Sequence, residues 1–337
     1  ARLSYPRTAV GAGMIRRLFL AQSGDTDPYR NLALEQHLLE TCPEDACILY
    51  LWQNQNTVVI GRNQNPWKEC RITRMQEDGA ALARRLSGGG AVFHDLGNLN
   101  FTFLLSTAHY DLRRQSEVVL RAVRSLGIDA QRTGRNDITA EGGKFSGNAF
   151  FHNRGRSYHH GTLLVDTDIG KMSAYLQPGE AKLKARGVDS VRSRVVDLKA
   201  LRPSVTIGSL RDAMIAAFRE VYALPAAPYD AVDERAVEKL REKYADWDWN
   251  YGRELSCDLV CEDRFPWGGV QLGLRIDGGV VRHVSVWTDA MRWDLSDKLQ
   301  AALTGCRFET KAMCEAVTAL DMEEGADICV LLRKQDL

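Results

Sequence analysis

The chain has no excess charge of either sign. Lysine plus arginine number 44 and aspartate plus glutamate number 44, so no global field draws it to nucleic acid or to an anionic membrane. Any basic patch must be local. No apolar run approaches the length that spans a bilayer, and there is no leader-like opening, internal repeat or low-complexity segment. The eight cysteines are scattered without a repeating interval, which excludes a disulfide scaffold and reads as reduced cytosolic thiols. Cys257 and Cys261 have no second pair nearby and read as packing rather than as a zinc site. Neither G-x-G-x-x-G nor G-x-x-x-x-G-K-[ST] spacing occurs at the glycine clusters discussed below, so Rossmann and P-loop readings fail. What remains is a soluble cytoplasmic protein, a monomer as far as composition speaks.

At 337 residues, 45% hydrophobic and 26% charged, the chain can bury a sizeable core and hold two domains. Residues 1–13 carry no usable pattern and are set aside as a tail: a cloning remnant, a translated extension, or a mobile or disordered natural terminus. "IRRLFLA", "ACILYLWQ" and "TVVIGR" read as strands. Between the first two, Asp27 and Pro28 open a helix in which Leu32, Leu38 and Leu39 recur at near-helical spacing. "QNQN" at 53–56 suits a hairpin between the second and third strands. Further helices are expected over Gln115–Leu126, Leu210–Tyr222 and Ala231–Lys243, with a strand at "HHGTLLVD". The character changes at "YADWDWNYG", where a boundary is placed. Residues 14–245 then form a mixed α+β domain, and 246–337 a small α+β domain of strands followed by helices, with a hairpin turn at "IDGGVV".

Two glycine clusters bear on chemistry. In "RRLSGGGAVF" consecutive glycines let backbone N–H groups face a bound group without interference from Cβ. The Arg84–Arg85 pair suits phosphate, although three glycines alone equally mark a tight turn. In "GGKFSGNAF" Lys144 sits among small residues, a compact charge that a ligand could approach, yet a lysine near glycines is more often a surface turn. Asp137 suits a metal bridging phosphates, or merely a turn. His159 and His160 point to opposite faces of a strand, so at most one faces a pocket. The basic segment 182–194 is either a solvated connection or a flap over an anionic intermediate.

Together "TVVIGRNQNPWKEC", "RRLSGGGAVFHDLGNLNFTF", "GRNDI", "GGKFSGNAF", "YHHGTLL" and "DSVRSRV", in this order and spacing, resemble the lipoate–protein ligase A family of bacterial two-domain type. The resemblance implies a catalytic domain on a mixed sheet, related to biotin ligases, and a C-terminal accessory domain. It implies activation of lipoate with Mg-ATP to lipoyl-AMP, then transfer to a lysine of acceptor lipoyl domains. Those acceptors would be 2-oxoacid dehydrogenase acyltransferase subunits and the glycine cleavage H protein. By resemblance Lys144 is the catalytic lysine, and it touches both substrates. Arg85, Gly90, Ala91, Val92, Phe93, Asn136 and Asp137 match ATP-binding positions, with Asp137 the candidate Mg²⁺ ligand. Arg84, Ser87, Gly88, Gly89 and His160 match lipoate-binding positions, and Lys182, Lys184, Arg186, Arg192 and Arg194 belong to the adenylate-covering loop. Phe145 and Asn148 depart from the family pattern, Phe145 in a way expected to reshape the neighbouring pocket.

Three other readings compete. A lipoyltransferase would use preformed lipoyl-AMP only; the full motif set and two-domain length favour the complete ligase. An ATP-independent octanoyltransferase would use a cysteine nucleophile or a carrier thioester, and no cysteine lies in the glycine loop or beside Lys144. A non-catalytic lipoate-sensing relative would be favoured by loss of Lys144, which is present; a repressor form would need a DNA-binding domain ahead of the tail.

Overall fold

The computed structural model describes residues 14–133, 137–177, 195–251 and 257–335. Strands β1 (Arg17–Gln22) and β2 (Ala46–Trp52) run parallel, joined by the helix Pro28–Thr41. Asp27 caps that helix by accepting from the Tyr29 amide, and Pro28 occupies the first turn, where no amide donor is required.

Strands β3 (Thr57–Ile60), β4 (Ala81–Arg84) and β5 (Val92–His94) form a separate sheet in the order β4-β3-β5. The hairpin expected over 53–56 therefore does not form. Both edges of β2 are occupied, one by β1 and the other by β6 (Asn98–Ser106), so the chain must leave that sheet. The segment is a corner: Asn54 is buried and accepts from Asn31 Nδ2 at 3.0 Å, and Asn56 adopts a φ of 42°.

β7 (Ala130–Thr133), β8 (Asp137–Ala140), β9 (Gly143–Asn153), β10 (Arg156–Leu164) and β11 (Ala226–Pro228) complete the larger sheet. Its order is β11-β1-β2-β6-β10-β9-β8-β7, parallel across the first three strands and antiparallel across the rest. Every residue of β2 and β6 is buried because helices cover both faces. Cys47, Leu49 and Leu51 meet the helices Leu112–Ser125 and Ile207–Tyr222. Ile48, Tyr50 and Trp52 meet Pro28–Thr41 and Glu234–Ala245. The same period of two separates His159, whose ring packs on Phe101 and Phe103, from His160 on the opposite face.

A second body has its own core. β12 (Leu259–Phe265), β13 (Gly268–Asp277) and β14 (Val280–Thr288) form an antiparallel meander. Its hairpin turns at Gly278 and Gly279, both with positive φ, as a tight two-residue loop requires. The helices Leu295–Leu303, Thr310–Thr318 and Gly325–Arg333 pack Leu299, Met313 and Ile328 against Leu272 and Val286. The architecture is thus α+β with a mixed sheet, plus a smaller α+β unit. Among the described residues no helix is long and apolar enough to cross a membrane.

The two bodies meet at the glycine loop. Gly89 N donates to Ala290 O at 2.9 Å, Thr288 N to Asn63 O at 2.7 Å, and Asn63 Nδ2 to Trp293 O at 3.0 Å. Arg62 pairs with Asp297 at 3.0 Å, and the Trp293 ring lies 5.0 Å from that of Phe151.

Candidate active site

A cavity of about 290 Å³ opens between the small sheet, the glycine loop and β8–β10. Its lining combines apolar Leu32, Trp52 and Val59, the bare main chain of Gly89–Val92, and an ion pair, Lys144 Nζ to Asp137 Oδ1 at 2.7 Å. Apolar wall, exposed backbone and one paired cation suit a ligand with an aliphatic part and an anionic part.

Lys144 is not on a surface turn. The β8–β9 hairpin turns earlier, at Glu141 and Gly142, both with positive φ. Beyond it the pairing slips between Ile138 and Thr139, so β9 carries one extra residue. Such bulges re-aim side chains. Here Lys144 joins the cavity wall while Phe145 goes fully into the core. Phe145 therefore does not reshape the pocket, contrary to the expectation from its departure. Asn148 does line it. The flanking glycines have separate reasons. A methyl at 143 would sit 2.6 Å from the Val196 side chain, where Val196 N donates to Lys144 O at 3.0 Å. A methyl at 147 would sit 3.2 Å from Lys144 Nζ, so glycine there leaves room for the ammonium.

Adjacent residues at a strand end face opposite ways, and the two arginines divide accordingly. Arg84, matched by resemblance to the lipoate side, does not reach the cavity. It is fully buried and donates to the carbonyl oxygens of Gly61, Arg62, Gln64, Trp249 and Asn250 at 2.7–3.2 Å. Arg85 does line the cavity. Its guanidinium donates to Val59 O, Gly88 O, Gly90 O and Ser87 Oγ. Burial lowers its pKa to about 10, which leaves it charged at neutral pH and adds positive potential beside the ion pair.

The three glycines answer to different neighbours. A methyl at 88 would lie 2.3 Å from Ala290 O, so Gly88 admits the backbone of the second body rather than a ligand. Gly89 has a φ of 88°, and its carbonyl oxygen would be 2.2 Å from any methyl at Gly61. Gly90, Ala91 and Val92 face the cavity, as does His160. Phe93 is turned into a neighbouring core, its ring 5.5 Å from that of Tyr175. Ser87 is fully buried and reaches His160 Nε2 at 2.8 Å. Asn136, Lys182, Lys184, Arg186, Arg192 and Arg194 lie outside the described residues.

Among the lining residues that the sequence did not single out are Met291, Trp52 and His94. Met291 comes from the second body, its sulfur 3.2 Å from where a methyl on Gly89 would stand. No local pattern signals it. Trp52 stacks on Tyr50 and donates to Thr102 Oγ1 at 3.1 Å. His94 is buried; burial first, then the electrostatic influence of neighbouring Arg85 and His160, pushes its pKa down to about 3. Asn54 Nδ2 lies 3.2 Å from its Nδ1, which makes Nδ1 the acceptor and Nε2 the N–H bearer, and Nε2 has no protein partner. A histidine inside the apolar "AVFHDLGNLNFTF" is the one signal that could have flagged it.

The chain is similar to known proteins in sequence and fold. The lipoyl protein ligase A/B catalytic domain matches residues 27–219, and the bacterial lipoate protein ligase C-terminus matches residues 255–328. The chain is 42% identical over 303 residues to lipoate-protein ligase A of Psychrobacter cryohalolentis, covering 87% of this chain and 89% of that protein. Among solved structures, Plasmodium falciparum LipL1 in complex with lipoate superposes with a TM-score of 0.82 at 26% identity, covering 95% of this chain and 99% of that one. A lipoate-protein ligase A bound with ATP superposes with a TM-score of 0.59 at 29% identity, covering 70% of this chain and 98% of the other.

Proposed function

The chain belongs to the lipoate–protein ligase family and is a ligase, and from that premise we propose that it activates lipoate with ATP and transfers the lipoyl group to a protein lysine. In the first step a lipoate carboxylate oxygen attacks the α-phosphorus of ATP, and the bond to pyrophosphate breaks. In the second, the neutral amine of an acceptor lysine attacks the acyl carbon of lipoyl-AMP. The C–O bond to AMP breaks, the amine proton passes to solvent, and an amide results. Activation is needed because a free carboxylate is a poor acyl donor.

The observation that carries this reading is the Lys144–Asp137 pair on the wall of a cavity that also presents apolar side chains and bare main chain. Lys144 would neutralise charge growing on the α-phosphate and then polarise the acyl carbonyl. Leu32, Trp52 and Val59 would receive the aliphatic chain. The Gly90–Val92 backbone would lie against the adenylate, its position held by Arg85. The Nε2–H of His94 offers a donor to a ligand oxygen.

Asp137, the one carboxylate among the described residues lining the cavity, fits Mg²⁺, which retains waters and takes its remaining ligands from phosphates. Among the described residues no cluster of three or more His, Cys, Asp or Glu side chains competes for that role. When bound, the ion would offset phosphate charge. The acceptors proposed are lipoyl domains of 2-oxoacid dehydrogenase acyltransferase subunits and the glycine cleavage H protein, modified by a monomer in the cytoplasm. The chain would divide into a catalytic part, 14–245, and an accessory part, 246–337.

The test is exchange of labelled pyrophosphate into ATP. The account expects exchange that requires lipoate and stops without it. Lipoate-independent exchange, or none, overturns the activation step.

A further inference from the structure

A continuous hydrogen-bond chain runs beneath the cavity wall, through residues that lie on five separate stretches of sequence. Arg85 Nε donates to Ser87 Oγ at 3.0 Å, and Ser87 Oγ meets His160 Nε2 at 2.8 Å. His160 Nδ1 then meets Glu35 Oε1 at 2.8 Å. From the far side Thr102 Oγ1 donates to the same Glu35 oxygen at 2.7 Å, and Trp52 Nε1 donates to Thr102 at 3.1 Å. Glu35 lies on the helix Pro28–Thr41 and is 2% exposed.

The two end groups fix the outer joints. A guanidinium only donates and a carboxylate only accepts. Ser87 Oγ therefore accepts from Arg85 Nε, and His160 Nδ1 carries its hydrogen towards the Glu35 carboxylate, while the Ser87 hydroxyl has a hydrogen and a second lone pair with which to meet Nε2. No joint has two donors or two acceptors in conflict. The chain thus links the buried Glu35 carboxylate to the buried Arg85 guanidinium through His160 and Ser87. A low-dielectric interior makes such a charged terminus effective.

Ser87, His160 and Glu35 have the spacing of an acyl-transfer triad. They do not serve as one. Ser87 Oγ is fully buried and already accepts from Arg85, and the cavity is lined by Gly89 and Gly90 but not by Ser87. A nucleophile needs its oxygen open to the acyl carbon. What the chain does control is Arg85, whose Nη2 holds Gly88 O and Gly90 O at 2.7 Å each.

We infer that Glu35 is a positioning residue for the glycine loop, setting the placement of Gly88–Gly90 through His160, Ser87 and Arg85. Its consequence for turnover rests on the ligase reading above; its effect on the loop does not.

Hydrogen exchange of the ligand-free full chain, followed by mass spectrometry on a peptide covering 86–93, tests it. Glu35→Gln keeps the shape and removes the charge; Ser87→Ala cuts the chain in the middle. Each is expected to speed exchange of the loop about tenfold. Because the two act in series, the double variant stays near the same tenfold. An increase near a hundredfold in the double variant, or no change in Glu35→Gln, overturns the inference. If Glu35→Gln does not fold, Glu35→Asp, which keeps the charge and withdraws the oxygen from His160, carries the same comparison. In pyrophosphate exchange the single variants should raise KM for ATP more than they lower kcat. Coupled loop protection in a wild-type chain without exchange activity would retract the ligase reading and leave Glu35's role standing. An active chain with additive effects would do the reverse.

Discussion

Lys144→Ala is expected to lower both lipoyl-AMP formation and lipoyl transfer by about a hundredfold to a thousandfold or more, while the protein stays folded. The two halves of that expectation rest on different observations. The lysine is the cation in the ion pair on the cavity wall, beside the glycine at 147 that leaves room for it. The same pair contributes little to stability, since the Lys144 and Asp137 side chains are 38% and 46% exposed and solvent screens them. Activity should be read with ATP and lipoate, and separately with supplied lipoyl-AMP, alongside a melting curve. Transfer that persists from supplied lipoyl-AMP would confine the lysine to activation. A collapsed melting curve would make it structural.

Arg84→Ala should do the opposite: destabilise the fold by about 4 kcal/mol, with activity falling because the folded population falls. Five buried or part-buried carbonyl oxygens on two separate segments, 61–64 and 249–250, receive this one guanidinium. Alanine would leave them without that donor and would open a void the size of the side chain. Arg84→Lys should rescue only part of the loss, because an ammonium is a single point with three donors and cannot span both segments. Urea midpoints decide the matter. A stability within about 1 kcal/mol of wild type would show that the carbonyls find other partners.

These two cationic residues show where sequence reasoning reaches and where it stops. Both stand out in the sequence as basic residues near glycines. What separates them is the alternation at the end of β4 and the bulge in β9, and neither is written in residue type. The helix at Pro28 is legible because its cap and first-turn proline act locally, and the Gly278–Gly279 turn is legible for the same reason. The corner at 53–56 is not, because asparagines suit a hairpin as well as a passage between sheets, and only the occupied edges of β2 exclude the hairpin. Glu35 reads as one polar position on an amphipathic helix. Its meaning depends on His160, 125 positions away. Met291 reaches the cavity only because the second body docks at Gly88 and Gly89, where a backbone approach requires glycine.

The measurement that bears most directly on the central claim is the intact mass of an unmodified lipoyl domain after incubation with this protein, lipoate and Mg-ATP. The account predicts a gain of one lipoyl group that disappears when ATP is left out. A gain seen only when lipoyl-AMP is supplied would contradict it and make the protein a transferase.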